Sequence, residues 1–132
     1  AVQMSRLDEL MHKREQVAAH YARLLAGVDG VETPTILPST TRTSWFVYVI
    51  RLARGLDRTA IAARLADLGI PVRPYFLPIH LQPYMVDRFG YQPGRYPVTE
   101  DLGERGLALP FSGVMRPEQV EQVVEALKRV IV

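Results

Sequence analysis

The sequence contains no cysteine among its 132 residues. That excludes disulfides, thiolate metal sites and a cysteine nucleophile, and it agrees with a reducing compartment. Lysine is nearly absent as well. Lys13 and Lys128 are the only lysines among 16 basic residues. No apolar run approaches the ~20 residues of a membrane span, and no signal-peptide pattern opens the chain. The expected location is therefore the cytoplasm, with no membrane partner. A glycine-rich phosphate loop, a dinucleotide fingerprint and a G-x-S-x-G elbow are all missing. His, Asp and Glu nowhere gather at metal-ligand spacing, so no metal is expected. His12 and His20 lie eight apart, not i, i+4, and read as surface residues. A net charge of +2 gives little support to nucleic-acid binding.

What is present fits one soluble domain. The length suits a single domain, and 48% hydrophobic with 23% charged residues is ordinary for a globular chain. The stripe Leu7, Leu10, Met11, Val17, Ala18, Tyr21, Leu24 and Leu25 predicts a long first helix ending near Gly27. It is helical from almost the first residue, which suggests a start inside a longer helix; Ser5 with Asp8 offers an N-cap as the opposite reading. Val31 to Thr33 is a short extended piece, and Pro34 to Thr43 a turn-rich link. "SWFVYVIRLA" (44–53) is the strongest strand, apolar on both faces and so central or covered. Asp57 caps a helix over 58–68, with Ile61, Leu65 and Leu68 inward. "GIPVRP" is a short strand stopping at Pro74. A helix at 98–105 precedes the strand "LALP" (107–110). Pro117 starts a last helix whose inward stripe is Val120, Val123, Val124, Leu127, Val130 and Ile131. The fold class expected is α+β: a small, mainly antiparallel sheet with helices packed on one side and a long N-terminal helix leading in.

Six prolines fall between Pro71 and Pro97. Proline fixes φ and removes a donor, so this stretch is mostly irregular, with one helical turn near 82–89. Its core, "RPYFLPIHLQPYM" (73–85), is apolar enough to be buried. Long loops in compact domains are usually functional, and these aromatics argue against disorder. Arg73, at a strand end, is as suited to a substrate as to an ion pair. Tyr75 either points a hydroxyl at a ligand or fills the core. His80 among apolar residues is first of all a structural histidine. Five arginines between 51 and 73 make either a phosphate-binding surface or a solvated helix face; the second is the plainer reading. Glu100, Asp101 and Glu104 read as one solvated helix face.

The order "SWFVYVIRL", "RTAIAARLADLGIPVRPYFLPIHLQPYM", "FGYQPGRYPVTEDLGERGLALPF" and "PEQVEQVVEAL" resembles the C-terminal part of the DegT/DnrJ/StrS family of sugar aminotransferases. The likeness spans essentially the whole chain. It implies an aspartate-aminotransferase-type, pyridoxal-phosphate-dependent parent that moves an amino group from glutamate or glutamine to a keto-sugar, usually nucleotide-linked. In that family a large N-terminal domain holds the cofactor and its lysine, and the active site lies at a homodimer interface. Residues 1–132 are then the single small C-terminal domain, without the cofactor-binding domain. Neither Lys13 nor Lys128 matches the Schiff-base motif, so no catalytic residue and no bound cofactor are expected here, and the piece alone is expected to be inactive. The resemblance brings Arg73, Tyr75 and His80 forward as substrate-side residues, with His80 contacting the sugar or ordering the closing loop. Trp45 and Phe46 stand where many members carry a histidine. A detached domain is expected to self-associate through the first helix or the 73–85 face. The competing reading is a stand-alone α+β binding module for an anionic metabolite or a partner protein.

Overall fold

The computed structural model describes residues 2–131, and side chains from 4 to 131. Four strands form one antiparallel sheet in the order β1-β2-β4-β3: β1 Val31–Glu32, β2 Tyr48–Leu52, β3 Arg73–Pro74 and β4 Gly106–Leu109. The helices are α1 Val2–Ser5, α2 Leu7–Leu25, α3 Arg58–Asp67, α4 Pro83–Phe89, α5 Pro97–Arg105 and α6 Pro117–Ile131. A single 3-10 turn covers Ile79–Leu81. The expected α+β class, the one-sided helices and the long first helix all hold.

Strand alternation divides the sheet into two faces. In β2, Tyr48, Ile50 and Leu52 are buried, while Val49 and Arg51 are half-buried. Cross-strand partners share a face. Tyr48 pairs Leu109 and Ile50 pairs Leu107, which puts Leu107 and Leu109 on the inward face. That face meets α2 through Val17, Ala18, Tyr21 and Leu25, α3 through Ile61 and Leu65, and α6 through Val120, Val124 and Leu127. The opposite face carries Val49, Arg51, Gly106 and Ala108, with no helix of the core cluster upon it.

Several boundaries differ from expectation. The strand begins at Tyr48, not residue 44. Trp45 sits at φ 45, in the left-handed region that a bulky residue rarely enters. Its ring stacks on Tyr48 at 5.6 Å, while Phe46 points outward, 70% exposed. The α2 N-cap is Arg6, not Ser5. Leu68 is exposed because α3 ends at Asp67 and Gly69 turns the chain at φ 75. Ile70 takes the buried place instead, its N–H donating to the Leu65 carbonyl at 2.9 Å. Asp57 does cap α3, accepting from the Ala60 N–H at 3.0 Å. His12 is a surface residue, but His20 is not: its Nε2 is buried and 3.7 Å from Glu121.

At the centre, Tyr21 and Tyr48 stack at 4.9 Å. Their hydroxyls differ. Tyr21 donates to the Pro110 carbonyl at 2.7 Å, whereas the buried Tyr48 hydroxyl has no partner among the described residues. Burial pushes the Tyr48 phenol up to about 12. A buried, unpaired hydroxyl costs what a satisfied one does not. Tyr21→Phe should therefore lower unfolding free energy by about 1 kcal/mol, and Tyr48→Phe should leave it unchanged or raise it by about the same amount. Urea denaturation of both variants checks this; equal losses would show that the Tyr48 hydroxyl is paired in solution.

Candidate functional site

The outward face, where Leu102 of α5 also lines the cavity, positions two of the three sequence candidates. Arg73 pairs with Ala108, so it shares the outward face with Val49 and Arg51. Tyr75 follows two residues later on that face, and its N–H donates to the Gly106 carbonyl at 3.3 Å. Its ring stacks on Phe76 at 4.3 Å. Tyr75 lines an open cavity of about 460 Å³ with Glu32, Thr33, Thr35, Val49 and Arg51. Gly106 forms part of the wall, where a Cβ would fall 2.8 Å from the Tyr75 carbonyl oxygen. The groove thus offers an aromatic ring, hydroxyls, a carboxylate and the Arg51 guanidinium on a small-residue floor.

His80 goes elsewhere. It is 7% exposed, inside the 3-10 turn, and its Nε2 lies 2.9 Å from Glu100 Oε1. Tyr96 and Tyr91 meet its ring edge-on at 4.8 and 6.2 Å. The structure therefore brings Arg73 and Tyr75 together and turns His80 toward α5.

The strap of residues 75–82 is not buried as expected. Phe76, Leu77 and Ile79 are 67%, 59% and 70% exposed; Pro78 and His80 are buried, and Tyr75 and Leu81 half-buried. The strap is nonetheless fixed. At Gly103 of α5 a Cβ would stand 2.6 Å from Pro78 Cδ, so only glycine permits this approach. Arg58 donates to the Gly103 and Gly106 carbonyls, holding the end of α5.

The arginine-rich stretch is mostly structural. Arg51 pairs with Glu32 at 2.6 Å and Arg54 with Asp101 at 2.6 Å. Arg64 donates to the Val130 carbonyl at 2.8 Å. Arg73 alone of the five is exposed without a partner among the described residues. The solvated-face reading holds for Arg54, whose side chain is mostly exposed, and not for Arg58 and Arg64, which bridge elements.

The acidic face also needs correction. Glu104 is exposed, but Asp101 and Glu100 are engaged. Arg105, 11% exposed at its side chain, spans Asp101 at 2.6 Å, Glu32 at 3.1 Å and the Leu52 carbonyl at 2.7 Å. It ties α5 to β1 and β2 beside the groove. Arg105 was missed from sequence, although its i, i+4 spacing from Asp101 was a usable signal. Glu32 left no such trace, since its partners are remote in the chain. The Arg105 guanidinium holds Asp101 below the usual carboxylate range. The Gly94 amide and then the His80 imidazole do the same for Glu100.

A site for pyridoxal phosphate needs a lysine. Lys13 is 2.6 Å from Glu9 on α2, and Lys128 is exposed on α6. Both helices pack on the sheet face opposite the groove. The residues present do not fit attachment of that cofactor.

A family model described as "DegT/DnrJ/EryC1/StrS aminotransferase family" matches residues 1–128. The chain is 29% identical over 133 residues to the spore coat polysaccharide biosynthesis protein SpsC of Bacillus subtilis, covering 98% of this chain and 34% of that protein. It is 34% identical over 137 residues to the UDP-4-amino-4-deoxy-L-arabinose–oxoglutarate aminotransferase of Shewanella sediminis, covering 98% and 35%. Among solved structures, the aminotransferase TlmJ from Streptoalloteichus hindustanus superposes with a TM-score of 0.84 at 29% identity, over 98% of this chain and 34% of that one. DesV of S. venezuelae, solved with a ketimine intermediate, gives 0.86 at 26%, over 97% and 33%. The chain spans about a third of the length of the relatives it matches.

Two carboxylates held low make the α5 region acid-sensitive. A lowered folded-state pKa contributes stability above the ordinary carboxylate range, lost as pH falls through the folded value. Thermal unfolding from about pH 6 down to about pH 3 should show a falling Tm, and Arg105→Gln should flatten that acid limb. An identical pH slope in the variant would mean that Arg105 does not hold Asp101 down.

Proposed function

We propose, from the premise that this chain belongs to the DegT/DnrJ/EryC1/StrS aminotransferase family, that it is the small C-terminal domain of a pyridoxal-phosphate-dependent sugar aminotransferase. The full-length enzyme moves an amino group from glutamate or glutamine to a keto-sugar, usually nucleotide-linked, as a cytoplasmic homodimer. The observation that carries this reading is the outward sheet face, which holds Tyr75 and an Arg73 with no partner among the described residues, beside an exposed apolar strap. Such a face suits closure over a polar substrate against a second, larger domain that supplies the lysine. Bound pyridoxal phosphate supplies the electron sink for the amino transfer.

The roles of the residues follow from their chemistry. Arg73 is exposed and free to fork onto an anionic group such as a diphosphate. The Tyr75 hydroxyl both donates and accepts, which suits a sugar hydroxyl. His80 acts from the 3-10 turn, with Nε2 engaged by Glu100, and serves the substrate side by ordering the strap. Phe76, Leu77 and Ile79 are the contacts that the larger domain or second subunit covers.

In the full-length enzyme, Arg73→Ala and Tyr75→Phe should each raise KM for a nucleotide-linked keto-sugar by about tenfold, the loss of roughly one good hydrogen bond. Unchanged steady-state constants for both would remove the groove from the substrate site. The 132-residue chain mixed with pyridoxal phosphate should develop no imine absorbance; one equivalent of imine at Lys13 or Lys128 would defeat this reading and favour a stand-alone module. Sedimentation velocity should show the chain self-associating, and Leu77→Ser with Ile79→Ser should weaken that. A monomer at high concentration before any substitution counts against the strap as a covered surface.

A further inference from the structure

Three donors from two stretches of the chain end on one carboxylate. Glu100 Oε1 accepts from His80 Nε2 at 2.9 Å, from the Gly94 N–H at 3.0 Å and from the Tyr96 N–H at 3.2 Å. Oε2 accepts from the same Gly94 N–H at 2.8 Å. The donors belong to the 3-10 turn, to the turn before α5 and to the entry of α5 itself. Glu100 sits one helical turn before Gly103, which is pressed against Pro78. The strap thus has two anchors on α5, one steric and one polar.

The geometry also fixes a proton. An ionised carboxylate only accepts, so His80 Nε2 must carry the hydrogen. A neutral His80 is then the Nε2–H tautomer, with Nδ1 left as its acceptor. The rings of Tyr96 and Tyr91 flank the imidazole and confine it. Nothing in this arrangement uses Glu100 as a solvated surface group, and its side chain is only 21% exposed.

We propose that Glu100 is a positioning residue: it sets the tautomer and place of His80 and thereby holds the far end of the strap whose near end presents Tyr75, next to Arg73 on β3. Its consequence for substrate binding rests on the function proposed above; the latch itself does not. The pairing also accounts for two pieces of sequence, "PIH" and "YPVTE", as halves of one device.

The test uses ring nitrogen shifts and amide exchange, measured by NMR on this chain. Wild-type His80 should show the Nε2–H tautomer. Glu100→Gln has one carbonyl oxygen where three donors converge. It should speed exchange by about tenfold at Leu81 and Gln82, whose N–H groups donate to Pro78 and Ile79 and never touch Glu100. His80→Gln, whose amide N–H can stand in for Nε2–H, should keep Leu81 and Gln82 protected; His80→Phe should not. Protection at Ile50 and Leu107 serves as the fold control. Unchanged exchange at Leu81 and Gln82 in Glu100→Gln overturns the proposal. Should that variant unfold, a wild-type Nδ1–H tautomer alone overturns it, and an Nε2–H tautomer with the two His80 variants separated as expected supports it. In the full-length enzyme, Glu100→Gln should raise KM for the sugar several-fold more than it lowers kcat. A broken latch with unchanged KM overturns the positioning role. A full-length protein that aminates no sugar overturns the proposed function instead and leaves the latch measurements standing.

Discussion

A sheet whose long helices all lie on one side must leave its other side for something else, and the rest of this structure follows from that asymmetry. The inward face of β2 and β4 is Tyr48, Ile50, Leu52, Leu107 and Leu109, and α2, α3 and α6 cover it. The outward face of the same strands is Val49, Arg51, Gly106 and Ala108. Small residues on β4 lower the floor, and the strap and β1 raise the walls. The groove is a product of strand alternation before it is a product of any special residue. The edge strands β1 and β3 are two residues each, so they offer little ladder for unwanted pairing.

The region around the groove is held together differently from the core. Helix α5 has no buried residue of its own. It is fixed by Arg58 on its last carbonyls, by Arg105 to Glu32 and the Leu52 carbonyl, by Glu100 to His80, and by the missing side chain of Gly103. These are polar or steric contacts, partly open to solvent. Hydrophobic burial is indifferent to proton activity; carboxylate pairs are not. The two halves of the domain should therefore respond to acid at different points, with the strap and α5 loosening while the core face still holds. The part that can move independently begins at Tyr75, next to Arg73 on the sheet.

The legible features of the sequence were those set by local periodicity. The inward stripe of α6, the Asp57 cap, Pro117 at the helix start and the turn-terminating Gly69 depend on neighbours within a turn or two, and the structure has them as read. So does the α+β class, since one apolar face per element leaves few packings. The failures were tertiary. "SWFV" looks like strand by composition, yet Trp45 leaves the ladder to stack on Tyr48. The strap looks buried by composition, yet its apolar side chains face out, because the proline-braced backbone is held from α5 rather than packed into the core. Glu100 looked solvated because its partners lie elsewhere in the chain or are backbone N–H groups that no residue type reveals. The groove residue Tyr75 was readable from the odd composition of its segment; Glu32 was not, since an ion pair across remote elements leaves no spacing to find, and for Arg105 only its i, i+4 spacing from Asp101 was there to read.

The near absence of lysine takes on a physical meaning against these contacts. Arg58 reaches two carbonyls, Arg64 reaches the Val130 and Arg129 carbonyls at the end of α6, and Arg105 reaches two carboxylates and a carbonyl. A planar guanidinium with five donors can span acceptors from different elements; an ammonium is a point charge on a flexible stem. Helix ends leave carbonyls that need such donors. The arginine excess is thus largely a set of cross-links between elements, and not a charged surface. In the stretch from 51 to 73 that explanation covers Arg51, Arg54, Arg58 and Arg64, and stops at Arg73. A residue type spent elsewhere on bridging, left unbridged beside a groove, is what a binding role requires, and it is the reason Arg73 stands with Tyr75 in the proposed site while the other arginines do not.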